Sequence, residues 1–578
     1  MSEGRLRVRT EYGEFVEEGL VGYYGSERVG VRYRLLSERR EGEVKVVEVG
    51  YAVAGAPEVG EKTLVIDPVL QWGTYFGGND YDEAFSVAVD GSGNVFVVGS
   101  TVSNSNFPLV NPPGGVAYYD GTHNGGYDAF IAKFSGSNLS LLWSTYFGGI
   151  VNDWATSVAV DGSGNVFVVG YTFSSSGFPL ADPGGGAYYD NTHNGGYDAF
   201  IAKFSGSNLT LLWSTYFGGS DNEGAFSVAV DGSGNVFVVG STSSTSSFPL
   251  ANPGGGAYYD NTHNGGYDAF IAKFSGSNLS LVWSTYFGGS SRDQATSVAV
   301  GGSGNVFVVG YTNSSSGFPL ANPGGEAYFD NTHNGGLDVF IAKFSGSTLS
   351  LVWSTYYGGI SSDYTLGDRG VVAGAGFIAV GAMTYTTDGS FPVGNHSSLC
   401  PGGFYQGTHG GARDLAILTF DLNGVPVWRT FYGGSGDEWY LVSVAVYSTY
   451  LYVAGLTNGA LPASHLPNPG GGAYYDNTHN GDLDVVLLRF DYANCQLSGL
   501  EVAVDERGSW EAWWDGGAVR VAGVDAAGWY SVIGMNGRVV GRWYVGSEGG
   551  ALEGPWSRGL YVVHREGTMQ SRRVYVGP

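Results

Sequence analysis

One block of residues recurs six times between Trp72 and Phe490, and this repetition constrains the fold more than any single residue does. A block opens on Trp-Ser-Thr-Tyr-Phe-Gly-Gly or a close variant, then crosses a turn of the Asp-Gly-Ser-Gly-Asn type between apolar runs. It continues through Phe-Pro-Leu and Thr-His-Asn-Gly-Gly to Asp-Ala-Phe-Ile-Ala-Lys-Phe. Trp72, Trp143, Trp213, Trp283, Trp353 and Trp428 head the blocks, and His123, His193, His263, His333, His409 and His479 mark the later loop. The period is 70 residues, as from Trp143 to Trp213, and is stretched only in block five.

Short runs rich in Val, Ile, Phe, Tyr and Trp predict four strands per block. In block two these are a (Ser157 to Val160), b (Val166 to Thr172), c (Asp198 to Phe204) and d (Leu211 to Phe217). The a-b link Asp161-Gly162-Ser163-Gly164-Asn165 and the c-d link Ser205-Gly206-Ser207-Asn208 suit hairpins, with Gly and Asn available for positive φ. A four-stranded antiparallel unit repeated radially is a propeller blade, because each small sheet buries its faces only against its neighbours. The sixth c strand, Asp484 to Phe490, has no d strand after it, whereas a spare one, Gln71 to Phe76, precedes block one. Trp72 to Phe76 is therefore expected to pair with the last c strand and close the ring, which removes open edges.

The fold class expected is all-β: a six-bladed propeller over 71–495, a partial β domain over 1–70, and a separate β-rich module over 497–578. Ninety-eight glycines and 15% aromatic residues fit short strands and tight turns, and no apolar run approaches the roughly 20 residues of a membrane span. A formal charge of −26 argues against nucleic acid, which needs a basic surface. Cys400 and Cys495 leave two readings, one disulfide in an oxidising compartment or two unpaired thiols. The start, Met1-Ser2-Glu3-Gly4-Arg5, lacks a basic segment followed by an apolar one, which leaves two readings, a protein that stays inside the cell or a truncated N-terminus; the truncated start is what the family resemblance given below implies.

The passage Lys62 to Leu70 running into Trp72-Gly73-Thr74-Tyr75-Phe76-Gly77-Gly78 resembles the start of the bacterial β-propeller repeat family SBBP. The Val-Asp-Gly-Ser-Gly-Asn-Val turn, the Phe-Pro after strand b and Asp-Ala-Phe-Ile-Ala-Lys-Phe extend the likeness over residues 64 to about 490. The tail, with Trp529-Tyr530-Ser531-Val532, Asn536-Gly537 and Ser571-Arg572-Arg573-Val574-Tyr575-Val576, resembles the C-terminal sorting domain of type IX secretion cargo. That resemblance implies an Ig-like sandwich over 497–578, the secretion machinery as partner, and an extracellular or outer-membrane surface location. A terminal domain that only caps the propeller is the alternative.

In a meander the d-to-a and b-to-c links emerge on one face and the hairpins on the other. The shared loop face then carries Asp82, Asp153, Glu223, Asp293, Asp363 and Glu438, the six histidines, and the strand-c aspartates Asp128, Asp198, Asp268, Asp338, Asp414 and Asp484. Rings of carboxylates suit a hard cation such as calcium, the one cofactor considered, or a polar surface for an extracellular glycan or protein. An Asp at a strand entrance, however, more often accepts N–H bonds from its own loop than serves a ligand. One His per loop, some 70 residues apart, has no closely spaced partner for a metal. Lys133, Lys203, Lys273 and Lys343 in strand c are assigned to edge-strand solvation or an ion pair. Block five breaks the pattern with Asp368, Arg369, His396, Cys400 and Arg413, so an asymmetric site is expected there.

No catalytic motif with nucleophile, metal or phosphate-loop spacing is present in the sequence. Three functions compete: a secreted or surface binding scaffold, an extracellular polysaccharide hydrolase or lyase with two loop-face carboxylates, and a purely structural surface protein.

Overall fold

The computed structural model describes residues 74–365 without a break and most of 367–459, apart from 368, 375, 395–403 and 448–449. Elsewhere it describes strands and a few residues between 461 and 466. The chain divides into two compact units, Met1–Tyr75 with Ala460–Asn480, and Phe76–Gly459 with Gly481–Pro578.

The second unit holds an all-β, six-bladed propeller. Blade two comprises a (Asp153–Val160), b (Val166–Thr172), c (Asp198–Phe204) and d (Leu211–Phe217), hydrogen-bonded in that order and antiparallel throughout. Strands b, c and d fall on the residues expected from sequence. Strand a starts four residues before Ser157, because its register shifts between Ala155 and Ser157 and the alternation is broken there. Blades one, three and four repeat this plan, from Asp82–Val89, Glu223–Val230 and Asp293–Val300 respectively. In blade five strand a is split into Asp363–Tyr364 and Val371–Ala373. Blade six has three strands among the described residues, Glu438–Tyr447, Tyr450–Thr457 and Asp484–Asp491.

The cores lie between blades. Phe167, Val169, Trp213 and Phe217 of blade two close on Val228, Val238, Phe270 and Phe274 of blade three, all at most 6% exposed. Each such side chain contributes roughly 1.5–3 kcal/mol by leaving water. A serine ladder ties the inner strands: Val158, Val228 and Val298 donate their backbone N–H to Ser86, Ser157 and Ser227 Oγ of the preceding blade at 3.2 Å.

The b-to-c segment straps the outside of blades one to four. Ala181 bridges Ser214 of strand d, and Tyr188 N–H donates to Leu279 O in the c-d turn of the next blade at 3.0 Å. Trp213 Nε1 donates to Tyr188 O at 2.7 Å, so the repeat tryptophan holds the strap from beneath. Leu209, Leu279 and Leu349 in these turns take φ of 61°, 60° and 58°. Glycine supplies the expected positive φ in the a-b turn (Gly164, φ 80°), whereas Asn165 there, and Gly206 and Asn208 in the c-d turn, do not.

Strand c is interior, paired with b and d, which corrects the edge-strand reading of its lysines. Lys203 Nζ sits 5.0 Å from the Phe167 ring centroid on neighbouring strand b, a cation–π contact.

The sixth junction differs from the other five. Val485 and Leu487 are 65% and 76% exposed, where their equivalents Ala199 and Ile201 are fully buried. Val87 of blade one is 52% exposed, against 0% for Val158. The expected strand Trp72 to Phe76 is not formed by the described part of that segment: Thr74 to Gly78 carry no strand, and Trp72 lies outside the described residues. Phe76 nevertheless meets Phe107, Phe130 and Phe134 at 5.3, 5.7 and 5.5 Å. Phe147, in strand d of blade one, meets Phe178, Phe200 and Phe204 of blade two at 5.4, 5.7 and 5.5 Å.

Beyond the propeller, Val44–Ala54, Glu27–Glu41, Val21–Tyr24 and Leu64–Ile66 form one antiparallel sheet of the N-terminal region. The tail has a three-stranded sheet from Trp510–Trp514 and a four-stranded one containing Gly528–Gly534.

Candidate functional site

Two carboxyls converge on the loop face at each of the five junctions from blade one to blade six. One comes from the start of strand c, the other from the start of strand a in the next blade, and they meet over the first glycine of Gly-Gly. A methyl group placed on Gly148 would lie 2.6 Å from Asp153 Oδ2 and 3.2 Å from Asp128 Oδ1. Glycine is therefore required there because the acids occupy the space a side chain would need. The same pairing joins Asp198 with Glu223, Asp268 with Asp293, Asp338 with Asp363, and Asp414 with Glu438, all fully buried.

These acids are occupied by their own loops. Asp153 accepts Gly149 N–H at 2.8 Å and Ser174 Oγ–H at 3.1 Å, and Glu223 accepts Gly219 N–H at 2.8 Å. Asp128 accepts Asn124 N–H at 2.8 Å and Gly125 N–H at 3.1 Å. Asp82, half-buried, accepts Gly78 N–H at 2.6 Å and Ser103 Oγ–H at 3.0 Å. Burial, aided by the neighbouring carboxylate, pushes Asp153, Glu223 and Asp363 up to about 7. Asp293 is pushed up to about 6 by burial, and Glu438 is raised for the same reason.

The histidines are tied to backbone. His193 Nε2–H donates to Thr172 O at 3.1 Å, and its ring meets Tyr216 edge-on at 5.5 Å. His123, His263, His333 and His409 repeat the bond to Thr101, Thr242, Thr312 and Thr384. Among the described residues, no group of three or more His, Cys, Asp or Glu is arranged to hold a metal ion.

Block five contributes two arginines. Arg369 Nη2 donates to Val87 O at 2.8 Å and Val158 O at 3.2 Å, so it braces the inner strands of blades one and two from blade five. Arg413 lies 3.5 Å from Asp437 and 5.1 Å from the Tyr385 ring. Asp368, His396, His479, Cys400 and Cys495 lie outside the described residues.

An aromatic rim on the same face was not read from the sequence. Tyr127 of blade one stacks on Trp154 of blade two at 5.2 Å, and Trp154 stacks on Tyr171 at 5.0 Å. Phe173 meets Tyr197 at 5.0 Å, and Tyr267 lies beside Tyr197. Arg292 follows, between Tyr267 at 5.7 Å and Tyr311 at 5.6 Å, and Tyr364 continues to Tyr385 at 5.8 Å.

The signal that marks this rim is the difference between repeats. Blocks two and three differ at twelve positions over residues 143–212. Nine of these (Ile150, Val151, Asp153, Trp154, Thr156, Tyr171, Phe173, Ser175, Gly177) lie in the d-to-a link, the loop-face halves of strands a and b, or the beginning of the b-to-c link. The a-b hairpin turn on the opposite face is identical in the two blocks.

Residues 71–108, 142–178, 212–249 and 282–319 match the β-propeller repeat SBBP. The chain carries four SBBP β-propeller repeats. Each SBBP match runs from an outer strand d through strands a and b of the following blade, so the first gives Gln71 to Phe76 the sequence of an outer strand. No curated protein is matched. Among solved structures, BamB from Moraxella catarrhalis is 11% identical, with a TM-score of 0.25, over 64% of this chain and 82% of that one. A Dyadobacter fermentans protein of unknown function is 10% identical, with a TM-score of 0.35, over 67% and 93%. A PL25 ulvan lyase is 9% identical, with a TM-score of 0.31, over 78% and 92%. At these scores none of them bears on the site.

Proposed function

We propose that this SBBP protein is an exported binding propeller whose ligand, a glycan or a protein, docks on the loop face. One observation carries the reading: blocks that otherwise repeat closely diverge mainly on that face, where Trp154, Tyr171 and Phe173 of blade two are replaced by Gly224, Ser241 and Ser243 in blade three. A fold that needed only packing would have no use for such unequal rims. The hydrolase or lyase reading gains nothing from the junction carboxyl pairs, because they are fully buried and a substrate does not reach them.

Export is proposed through residues 497–578, on their likeness to type IX sorting domains, with the sandwich as their fold. Ring closure by Trp72 to Phe76 is part of the same proposal. It is supported by the way Phe76 repeats the ring contacts of Phe147 and by the apolar side chains exposed on both sides of the sixth junction.

The test is a screen of the full chain against polysaccharide and surface-protein arrays, with Trp154→Ala and a hairpin-face variant, Asp231→Asn, alongside. Binding lost in the first variant and kept in the second supports the reading. A chain that binds nothing on either array is a structural protein.

A further inference from the structure

Around blades two to four the loop-face rim changes character twice. Blades one and two together present the Tyr127–Trp154–Tyr171 stack, with interplanar angles of 27° and 24°. Blade three presents Gly224, Ser241 and Ser243 at the positions of Trp154, Tyr171 and Phe173. Blade four presents Arg292, at a position held by Asn152, Asn222, Ser362 and Asp437 in blades two, three, five and six. Phe226 packs against Gly224, and Tyr197 and Tyr267 carry the rim on to Arg292, so the Trp154 stack and the cation are the two ends of one aromatic edge.

Arg292 is exposed yet held in place. Its guanidinium lies over the Tyr267 and Tyr311 rings, and Nη2 donates to Gln294 Oε1 at 3.0 Å and Tyr311 OH at 3.1 Å. Gln294 is itself anchored, its Nε2 donating to Ser241 Oγ at 3.2 Å. Nε and Nη1 take no hydrogen-bond partner among the described residues. An arginine stacked on aromatic rings has little rotamer freedom left to lose, and its remaining donors match a carboxylate or sulfate.

The surroundings favour a saccharide. Aromatic rims with phenolic hydroxyls offer an apolar surface to a sugar's C–H face and polar tips to its hydroxyls. Ser243 and Asn222, both half-buried, add short hydrogen-bonding groups between the two ends, whereas Ser241 is buried beneath Gln294.

We infer that blades two to four bind an acidic polysaccharide, its sugar rings lying over blade three beside the Trp154 stack and a carboxylate or sulfate on the Arg292 guanidinium. This rests on the loop-face reading above and names its ligand class. The net charge of −26 makes the assignment testable, because it opposes unspecific adsorption of a polyanion.

The experiment is affinity electrophoresis and calorimetry of the full chain at 0.15 M salt, where screening acts within about 8 Å. Polygalacturonate and dextran sulfate are the acidic probes, xylan and dextran the neutral ones. The expected result is binding of an acidic probe, weakened at least tenfold by Arg292→Gln and by Trp154→Ala, with unchanged melting of the Arg292 variant. Neutral probes binding as well as acidic ones, with Arg292→Gln silent, overturns the inference and leaves the loop-face reading standing. A protein ligand as the only one found also overturns it. No ligand of any class overturns both.

Discussion

Arg369 Nη2 donates to the carbonyl oxygen of Val87 at 2.8 Å, joining a residue of blade five to the inner strand of blade one. The insertion that splits strand a of blade five makes this reach available. Thr365 aligns with Ala295 at an offset of 70, whereas Val371 aligns with Val298 through its bond to Ser297 Oγ, as Val298 bonds Ser227 Oγ. The extra residues lift the arginine out of the strand. Its own carbonyl still accepts Val444 N–H from blade six at 2.8 Å.

Arg369→Gln is expected to remove the cross-brace while leaving the backbone bond to Val444 intact. Urea unfolding is expected to report a loss of about 1–3 kcal/mol, the scale for hydrogen bonds made by a charged donor. Amide exchange in the inner strands of blades one and two is expected to quicken before that of blade three.

The junction acids set the pH dependence. Asp153, Glu223 and Asp363 sit at about 7 in the folded chain, against ordinary values of 3.8 for Asp and 4.5 for Glu. The folded state thus binds more protons than the unfolded state between pH 4 and 7, so stability falls as pH rises through that window and levels off above it. The overall charge of −26 acts in the same direction. Asp153→Asn, which mimics the protonated acid and still accepts Gly149 N–H, is expected to be near neutral at pH 4.5 and to stabilise by about 1–2 kcal/mol at pH 8. Chemical denaturation at the two pH values checks both the slope and its flattening.

Phe76→Ala tests closure. Loss of the contacts to Phe107, Phe130 and Phe134 is expected to cost about 1–3 kcal/mol, less than for a fully buried Phe because Phe76 is half-buried. If Gln71 to Phe76 is the outer strand of blade six, amide exchange in Asp484–Asp491 is expected to speed up in this variant, read by exchange mass spectrometry.

Leu209 is buried in the left-handed region at φ 61°, where a side chain costs about 1–2 kcal/mol. Leu209→Gly relieves that strain but vacates the site beneath Tyr118, whose N–H donates to Leu209 O at 2.9 Å. Burial outweighs strain for a leucine, so the variant is expected to melt several degrees lower; an unchanged melting temperature contradicts this balance.

The period and the apolar runs made the blades legible, because strands b, c and d are short, apolar and bounded by Gly-rich turns. Strand a was half legible, since its entrance is polar and its register shifts near Thr156. The carboxyl pairing of Asp128 with Asp153 was hidden by the 24 residues between them: it forms only when consecutive blades meet. Arg369 was singled out as asymmetric, but its reach to Val87 depends on geometry across the ring. The rim is not legible in the repeat pattern, because Trp154, Tyr171 and Arg292 stand at positions where the blocks differ.

The most direct test of the account is polysaccharide binding by the full chain carrying Trp154→Ala together with Tyr171→Ala, set beside Asp231→Asn in the hairpin turn of blade three. The account expects the paired rim variant to lose at least tenfold in affinity and the hairpin variant to keep it. Loss in the hairpin variant with the rim variant intact would contradict the placement of function on the loop face.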